Sequence, residues 1–405
     1  MGQKFFRISL LLALPLLVGW FALLPLKAQP LSPAAQKLVR TAFEGLDPSA
    51  PLVDVHAHLV GLGTNGSGAW LNPEKLTWRH PLKRIQTELY IRASGVKNLA
   101  TFDQDYLERL MERSRAFPHP LRIHLLAFDH AYTAGGQIDE PHSEFYTPNE
   151  AVMAVARRHP DRIVPVISVH PARKDALAEL DRWADQGVRY VKWLPNAQRI
   201  DPADPRWDAF YRRMIERGMV LLTHVGEEKA VNAPEAQALG NPLRFRRALD
   251  LGLTVIMAHC ASLGRNEDLD HPGQMASNFD LFLRLMAEPR YEGRLWGDIS
   301  AITQFNRLPE PLLVILRRPD LQARLLNGSD YPLPGVNLVI WLRKLVKAGL
   351  LTHTERLAMI EIYSDNPLRF DFVLKRTLQN QTGQRLDPSV FTARRALPAG
   401  LVSMP

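Results

Sequence analysis

Among its 405 residues the chain has a single cysteine, Cys260. An intramolecular disulfide is therefore excluded. Cys260 follows directly on an apolar run and reads as a buried free thiol, with no Cys–His catalytic signature beside it. The chain also lacks low-complexity tracts and any repeat of fixed period, which sets aside solenoids and long disordered arms. It has no dense Lys/Arg block interleaved with aromatics. The formal net charge of +8, to which Lys4, Arg7 and Lys27 contribute, thus reads as a mildly basic surface and not as a nucleic-acid footprint. No Gly-x-Gly-x-x-Gly turn follows the first predicted strand, which removes the nucleotide-binding form of an open α/β sheet.

What is present begins with a long hydrophobic run. Lys4 and Arg7 precede an almost unbroken apolar stretch over 8–26, and Lys27-Ala28-Gln29-Pro30 follows. Residues 1–30 read as a signal peptide or an N-terminal membrane anchor, with Pro15 and Pro25 weakening a spanning helix. No twin arginine is present. The expectation is an exported protein, periplasmic or held at the inner membrane through 8–26. Residues 31–50 are polar and rich in small residues, and read as a linker. Residues 376–405 read as a loosely held polar tail.

Between these, over 51–375, short β-rich runs alternate with amphipathic helical segments, the pattern of a parallel sheet covered by helices. Eight strands are predicted, at 52–56, 121–128, 163–169, 188–194, 220–225, 254–259, 295–300 and 324–327. Helices are expected over 208–217 and 242–251, among others. Thr147-Pro148-Asn149-Glu150 and Thr352-His353-Thr354-Glu355 carry capping-box spacing. Gly187, Gly218 and Gly252 fall where helices should end. Eight strand–helix units predict an α/β protein of the (β/α)8 TIM-barrel type. Hydrophobic residues at 46% suffice for the core such a barrel needs.

The chemistry-bearing residues sit at the ends of these strands. The first ends in Asp54-Val55-His56-Ala57-His58, and residues two apart on a strand share a face. Lys192 ends the fourth strand, His224 the fifth and His259 the sixth. The eighth leads into Gly328-Ser329-Asp330-Tyr331-Pro332. In a barrel all strand C-termini meet at one mouth. Singly, each residue could be a satisfied rim side chain, and Asp330 a turn residue. Asp129-His130 and His170 end the second and third strands, where substrate contact and rim structure are equal readings. Glu227 and Glu228 read as solvated charges. Asp298 on the seventh strand could orient a neighbouring ligand.

As a set, His-x-His on strand one, Lys on strand four, His on strands five and six and Asp on strand eight resembles the amidohydrolase superfamily. The Asp-x-His-x-His start and the Gly-Ser-Asp-x-Pro turn are similar to its second family, which holds metal-dependent hydrolases and some decarboxylases. The resemblance spans roughly 51–375. It implies a divalent metal, zinc being expected from imidazole and carboxylate donors, with one or two ions per chain. His56, His58, His224 and Asp330 would hold it. Asp330 would also serve as general base, and His259 would bind a second ion or polarise substrate or water. Lys192 would be either a carbamylated bridging ligand or an unmodified group facing substrate, with His130 and His170 as further substrate contacts. The implied activity is hydrolysis of an ester, lactone or amide of a small molecule by metal-activated water. One alternative is non-oxidative decarboxylation of an aromatic or enol acid, with Arg199 or Lys192 holding the carboxylate. The other is a non-catalytic exported metal- or ligand-binding protein. The loops over 59–81 and 129–148 are expected to shape the pocket.

Overall fold

The computed structural model describes residues 30–229 and 234–392. The expected signal or anchor segment, apart from Pro30, and residues 393–405 of the expected tail lie outside the described residues. Among the described residues no helix is long and apolar enough to cross a membrane.

All eight predicted strands form. They are β1 (Leu52–His58), β2 (Leu121–Leu126), β3 (Ile163–Ile167), β4 (Tyr190–Trp193), β5 (Val220–Thr223), β6 (Thr254–Met257), β7 (Leu295–Asp298) and β8 (Leu325–Leu326). They pair in parallel in chain order. The seam between β8 and β1 closes through backbone hydrogen bonds. The Val55 N–H donates to the Asn327 carbonyl at 2.8 Å, and the His58 N–H to the Tyr331 carbonyl at 2.8 Å. The result is a (β/α)8 barrel. Val53, Val55, Leu126, Val166, Leu222 and Ile256 belong to one buried cluster inside it, as expected where alternate residues of each strand point inward.

A larger apolar core lies between the outer face of the barrel and its helices. The helices include α1 (Pro33–Phe43), α2 (Pro81–Ser94), α3 (Phe102–Arg115), α4 (Asn149–Arg158), α5 (Ala176–Asp185) and α6 (Asp208–Glu216). After them come α7 (Arg246–Leu251), α8 (Asn278–Met286), α9 (Glu310–Arg317), α10 (His353–Asp365) and α11 (Pro367–Thr377). Helix α8 shows why such segments fold. The Ser277 hydroxyl accepts from the Asp280 N–H at 3.0 Å, and Phe279, Phe282, Leu285 and Met286 recur at helical spacing on its buried side. The capping box at Thr352 and Glu355 forms as expected.

Four expectations need correction. Residues 31–50 are not merely a linker, because α1 starts there under a Ser32 cap and stacks Phe43 on Phe372 at 4.8 Å. Residues 376–392 are not loose either. Leu378, Leu386, Val390 and Phe391 are buried, and the Val390 carbonyl accepts the Asn327 N–H at 2.8 Å. The short β8 leaves backbone groups that this segment satisfies. Thr147 does not cap α4. Its backbone pairs with Phe128 and its hydroxyl donates to the Leu59 carbonyl at 2.9 Å, so packing between loops overrides the local capping signal. The segment 242–251 divides into a 3-10 turn, Pro242–Phe245, followed by α7.

Candidate active site

The strand ends bring the expected residues to one mouth, but simple alternation does not do it. Val53 and Val55 face the barrel interior, so His56 and His58 should point the other way. The β1–β2 register shifts between Asp54 and Ala57, and this irregularity turns both imidazoles toward the centre. His259 is likewise one residue out of step with Ile256. Left-handed backbone at His259, Cys260 and Ala261, with φ of 56°, 48° and 50°, corrects it. Asp330 is also left-handed, with φ 60°, and its N–H donates to the His56 carbonyl at 2.7 Å. Gly328 is required by contact, since a Cβ there would lie 2.7 Å from the His56 Cβ. Non-glycine residues at positive φ cost backbone energy and concentrate at functional sites.

Three imidazoles share one pattern. His56 Nδ1 lies 2.9 Å from Asp298 Oδ2. His259 Nδ1 lies 3.2 Å from the Ser300 carbonyl and 2.8 Å from its hydroxyl. His224 Nδ1 lies 3.3 Å from Glu228 Oε2. Each acceptor places the proton on Nδ1 and leaves Nε2 unprotonated, a tautomer assigned from the hydrogen-bond partners. His56 Nε2 accepts from Lys192 Nζ at 3.1 Å, and the buried Nε2 of His224 has no partner. His58 Nε2 lies 3.3 Å and His56 Nε2 3.6 Å from Asp330 Oδ1. The rings stand close, with His56 centred 5.2 Å from His58 and 5.1 Å from His259, and His224 5.2 Å from His259.

Burial sets the protonation states. Desolvation takes His58 down to about 4 and His259 to about 3, and His224 well below its ordinary range. These three imidazoles are therefore neutral, the form that binds metals. Burial alone would raise the Asp330 carboxyl, but it lies well below the usual carboxylate range, the hydrogen bond from His58 being the largest opposing influence. Desolvation lowers Lys192 to about 8, against the opposing pull of Asp298, Asp330 and Glu228. Asp298 is fully buried, and it also accepts from the N–H groups of His259 and Ser300 and from the Ser300 hydroxyl.

Two donor groups have atoms within 4.8 Å of one another: His56, His259 and Asp298, and His56, His58 and Asp330. The first is already internally hydrogen-bonded on its Nδ1 side. The second opens into a pocket that His224, His259 and Lys192 also line. Neutral imidazoles with Nδ1 anchored, an ionised carboxylate and an orphaned buried Nε2 fit a divalent metal.

The chain belongs to the amidohydrolase family, whose sequence model matches residues 53–370. It is thus an enzyme of the amidohydrolase superfamily, a group that ordinarily employs a divalent metal. No curated protein matches the chain. Among solved structures it is similar to an uncharacterised TIM-barrel protein from Bordetella bronchiseptica, at 18% identity over 79% of this chain and 99% of that one, with a TM-score of 0.47. It is also similar to a putative 2-pyrone-4,6-dicarboxylic acid hydrolase from Pseudomonas putida, at 19% identity, 70% and 83% coverage and a TM-score of 0.41. A third is 5-carboxyvanillate decarboxylase from Sphingomonas paucimobilis, at 11% identity, 78% and 99% coverage and a TM-score of 0.37. Likeness at this level carries nothing about the reaction.

Several expected contacts do not reach the pocket. His170 is buried and satisfied, its Nε2 2.8 Å from the Gln198 carbonyl and its Nδ1 accepting the Ala172 N–H at 3.1 Å. His130 stacks on Tyr146 at 4.3 Å. Neither lines the pocket. Both follow strands whose ends tie into the rim, where Asp129 collects the N–H groups of His130 and His170 and the Arg173 guanidinium. Arg199 also lies off the pocket and pairs with Glu235. Glu228, expected to be solvated, is buried against His224.

Sequence reasoning missed Ser300, which bridges His56 and His259, and Arg307, a buried guanidinium that donates to the Ser262 hydroxyl at 3.1 Å. Neither stands in a recognisable motif. The loops after β1 and β2 do shape the pocket, joined by a small antiparallel pairing of Trp70–Leu71 with Phe145–Tyr146. Helix α2 contributes as well, which the sequence did not indicate.

Proposed function

We propose that this enzyme hydrolyses an ester, lactone or amide of a small molecule. The observation that carries the proposal is the buried, ionised Asp330 set beside His56, His58 and His259 at the floor of a pocket. His56, His58, His224 and Asp330 would hold the metal, for which we propose zinc, with Lys192 and His259 beside it. When bound, a divalent metal supplies Lewis-acid activation of water and of the scissile carbonyl.

The chain's own residues supply the rest. Asp330 accepts a proton from the attacking water and returns it to the departing oxygen or nitrogen. Water is thereby split between a carboxylic acid and an alcohol or amine. Asp298 and Ser300 fix the orientation of His56 and His259 through their Nδ1 atoms, so that both Nε2 atoms stay turned toward the reacting centre. Lys192, neutral in part near pH 8, donates to whatever oxygen replaces its present partner, His56 Nε2. Leu62, Leu71, Ile91, Phe102 and Phe145 line the rest of the pocket. The decarboxylase reading loses one of its two candidate cations, because Arg199 is committed to Glu235 away from the pocket, and keeps the other, Lys192, in the pocket lining. The test is turnover of ester, lactone and amide panels by the full-length protein, read beside its metal content. Release of CO2 from aryl or enol acids with no hydrolysis in any panel would overturn the proposal.

A further inference from the structure

The chain enters its described fold beside an exposed apolar face. Pro30 is exposed. Two residues on, the Ser32 N–H and hydroxyl donate to the Glu361 carboxylate on α10 at 2.8 and 3.1 Å. Around α10, at roughly 100° per residue, Arg356, Ile360, Leu357 and Glu361 follow one another within about 140°. Ile360 and Leu357 are exposed. Arg356 and Ile360 also line a surface groove with Leu338 and Trp341, which belong to the loop after β8. Trp341 is 52% exposed. Its ring stacks on Phe305 at 4.4 Å and its Nε1 donates to the Leu338 carbonyl at 2.8 Å, and these contacts hold the indole at the surface. Single exposed apolar residues are ordinary, whereas four on one continuous face mark an interaction site.

The charge around this face is one-sided. Residues 338–360 include Arg343, Lys344, Lys347 and Arg356 against a single acidic residue, Glu355, whose carboxylate closes the capping box at Thr352. Arg343 and Lys347 are exposed. Covalent geometry then ties the face to the apolar run over 8–26. Six residues of chain lead from Leu26 to Ser32 and span at most about 20 Å.

We propose that residues 8–26 enter a bilayer and that the face formed by Leu338, Trp341, Leu357 and Ile360 lies on its anionic surface. The tether keeps Ser32 within that reach of the bilayer, and Leu357 stands one helical turn from the Glu361 that Ser32 binds. An amphipathic indole among aliphatic side chains, rimmed by cations, is the composition that sits at the level of lipid headgroups. Each Lys or Arg near an anionic surface adds to the attraction. This docking depends neither on the metal nor on the reaction proposed above.

Quenching by lipid-borne nitroxide tests it. Cys260 is fully buried and burial pushes its thiol up, so a cysteine added at the surface is the reactive one. A fluorophore is attached to Leu357→Cys in the full-length protein, reconstituted into phosphatidylcholine vesicles with and without phosphatidylglycerol. The reference is Ile215→Cys, exposed on α6; α6 follows β4 and so stands across the barrel from α10, which follows β8. Nitroxide-bearing lipid should quench the label at 357 severalfold more than the label at 215, and more strongly with phosphatidylglycerol than without. Combining Arg343→Glu with Lys347→Glu should lower the ratio of docked to undocked protein by about fivefold for each cation removed, read as lost quenching at 357, while 8–26 still hold the protein in the vesicles. Ile360→Cys repeats the measurement if Leu357→Cys folds poorly. Full-length protein that floats free of the vesicles, equal quenching at 357 and 215, or quenching at 357 indifferent to both phosphatidylglycerol and charge reversal would each overturn the proposal. A label at 357 shielded from aqueous iodide yet untouched by the lipid nitroxide would place a second copy of this chain on the face and overturn it as well.

Discussion

Asp330→Asn separates charge from shape at the centre of the site. Asp330 sits at φ 60°, in the left-handed region that asparagine tolerates better than most residues. Its hydrogen bond to the His56 carbonyl is made by the backbone and survives the change. The side chain is buried, so the new amide occupies the same slot, near 3.3 Å from His58 Nε2 and 3.6 Å from His56 Nε2. What is lost is the negative charge and the ability to take and return a proton. Such a group contributes about 10² to 10⁴ in rate, or roughly 3–5 kcal/mol at about 1.4 kcal/mol per tenfold. Its carboxyl lies well below 3.8 in the folded protein. Its charge therefore stabilises the fold above about pH 4, and that contribution is lost as pH falls through the folded value; the variant has none to lose. Because the group is ionised throughout the neutral range, the variant's kcat should drop at every pH tested there. The assay is metal content and turnover on the same preparation. A metal-loaded Asp330→Asn enzyme with kcat within about threefold of wild type would contradict the general-base role, since the expected loss is at least about a hundredfold.

His56→Ala should lose metal first and activity in consequence, and strong chelation of the wild type should lower both Tm and rate, as read by elemental analysis and calorimetry. Asp298→Asn removes the charged acceptor of His56 Nδ1 and should weaken metal affinity by about ten- to a hundredfold, measured by competition with a chelator. In the chelated protein, Lys192 titrates near 8 against an ordinary 10.5, so the unfolded chain binds the extra proton between these values. Stability should then rise by up to about 3 kcal/mol from pH 8 to 10.5, and Lys192→Met should flatten that slope in denaturant titrations. If the N-terminal segment carries a signal cleaved near Ala28, the mature chain recovered from its native host should begin near Gln29 by intact mass; an anchor would leave the full mass in the membrane fraction.

Much of this architecture was legible because it rests on local chemistry. Eight short apolar runs spaced by helical segments allow few folds, and each run becomes a strand. The polar residues that end those runs, His56, His58, Lys192, His224, His259 and Asp330, are visible because apolar strands have no other need for them. Register is not local. Val55 and His56 both face inward only because β1 shifts against β2, and His259 turns inward through three left-handed residues. Nor does strand position by itself distinguish His224 from His170, since both end a strand and only the family resemblance assigned them different roles. The second spends both ring nitrogens on neighbouring backbone, while the first keeps a buried Nε2 open, and only partners brought from elsewhere in the chain decide that. Glu228 reads as a solvated loop charge until burial places it against His224. Pattern reveals which residues a strand or helix can present, whereas hydrogen-bond partners and solvent access arise from contacts between distant segments, and these decide which residues can act.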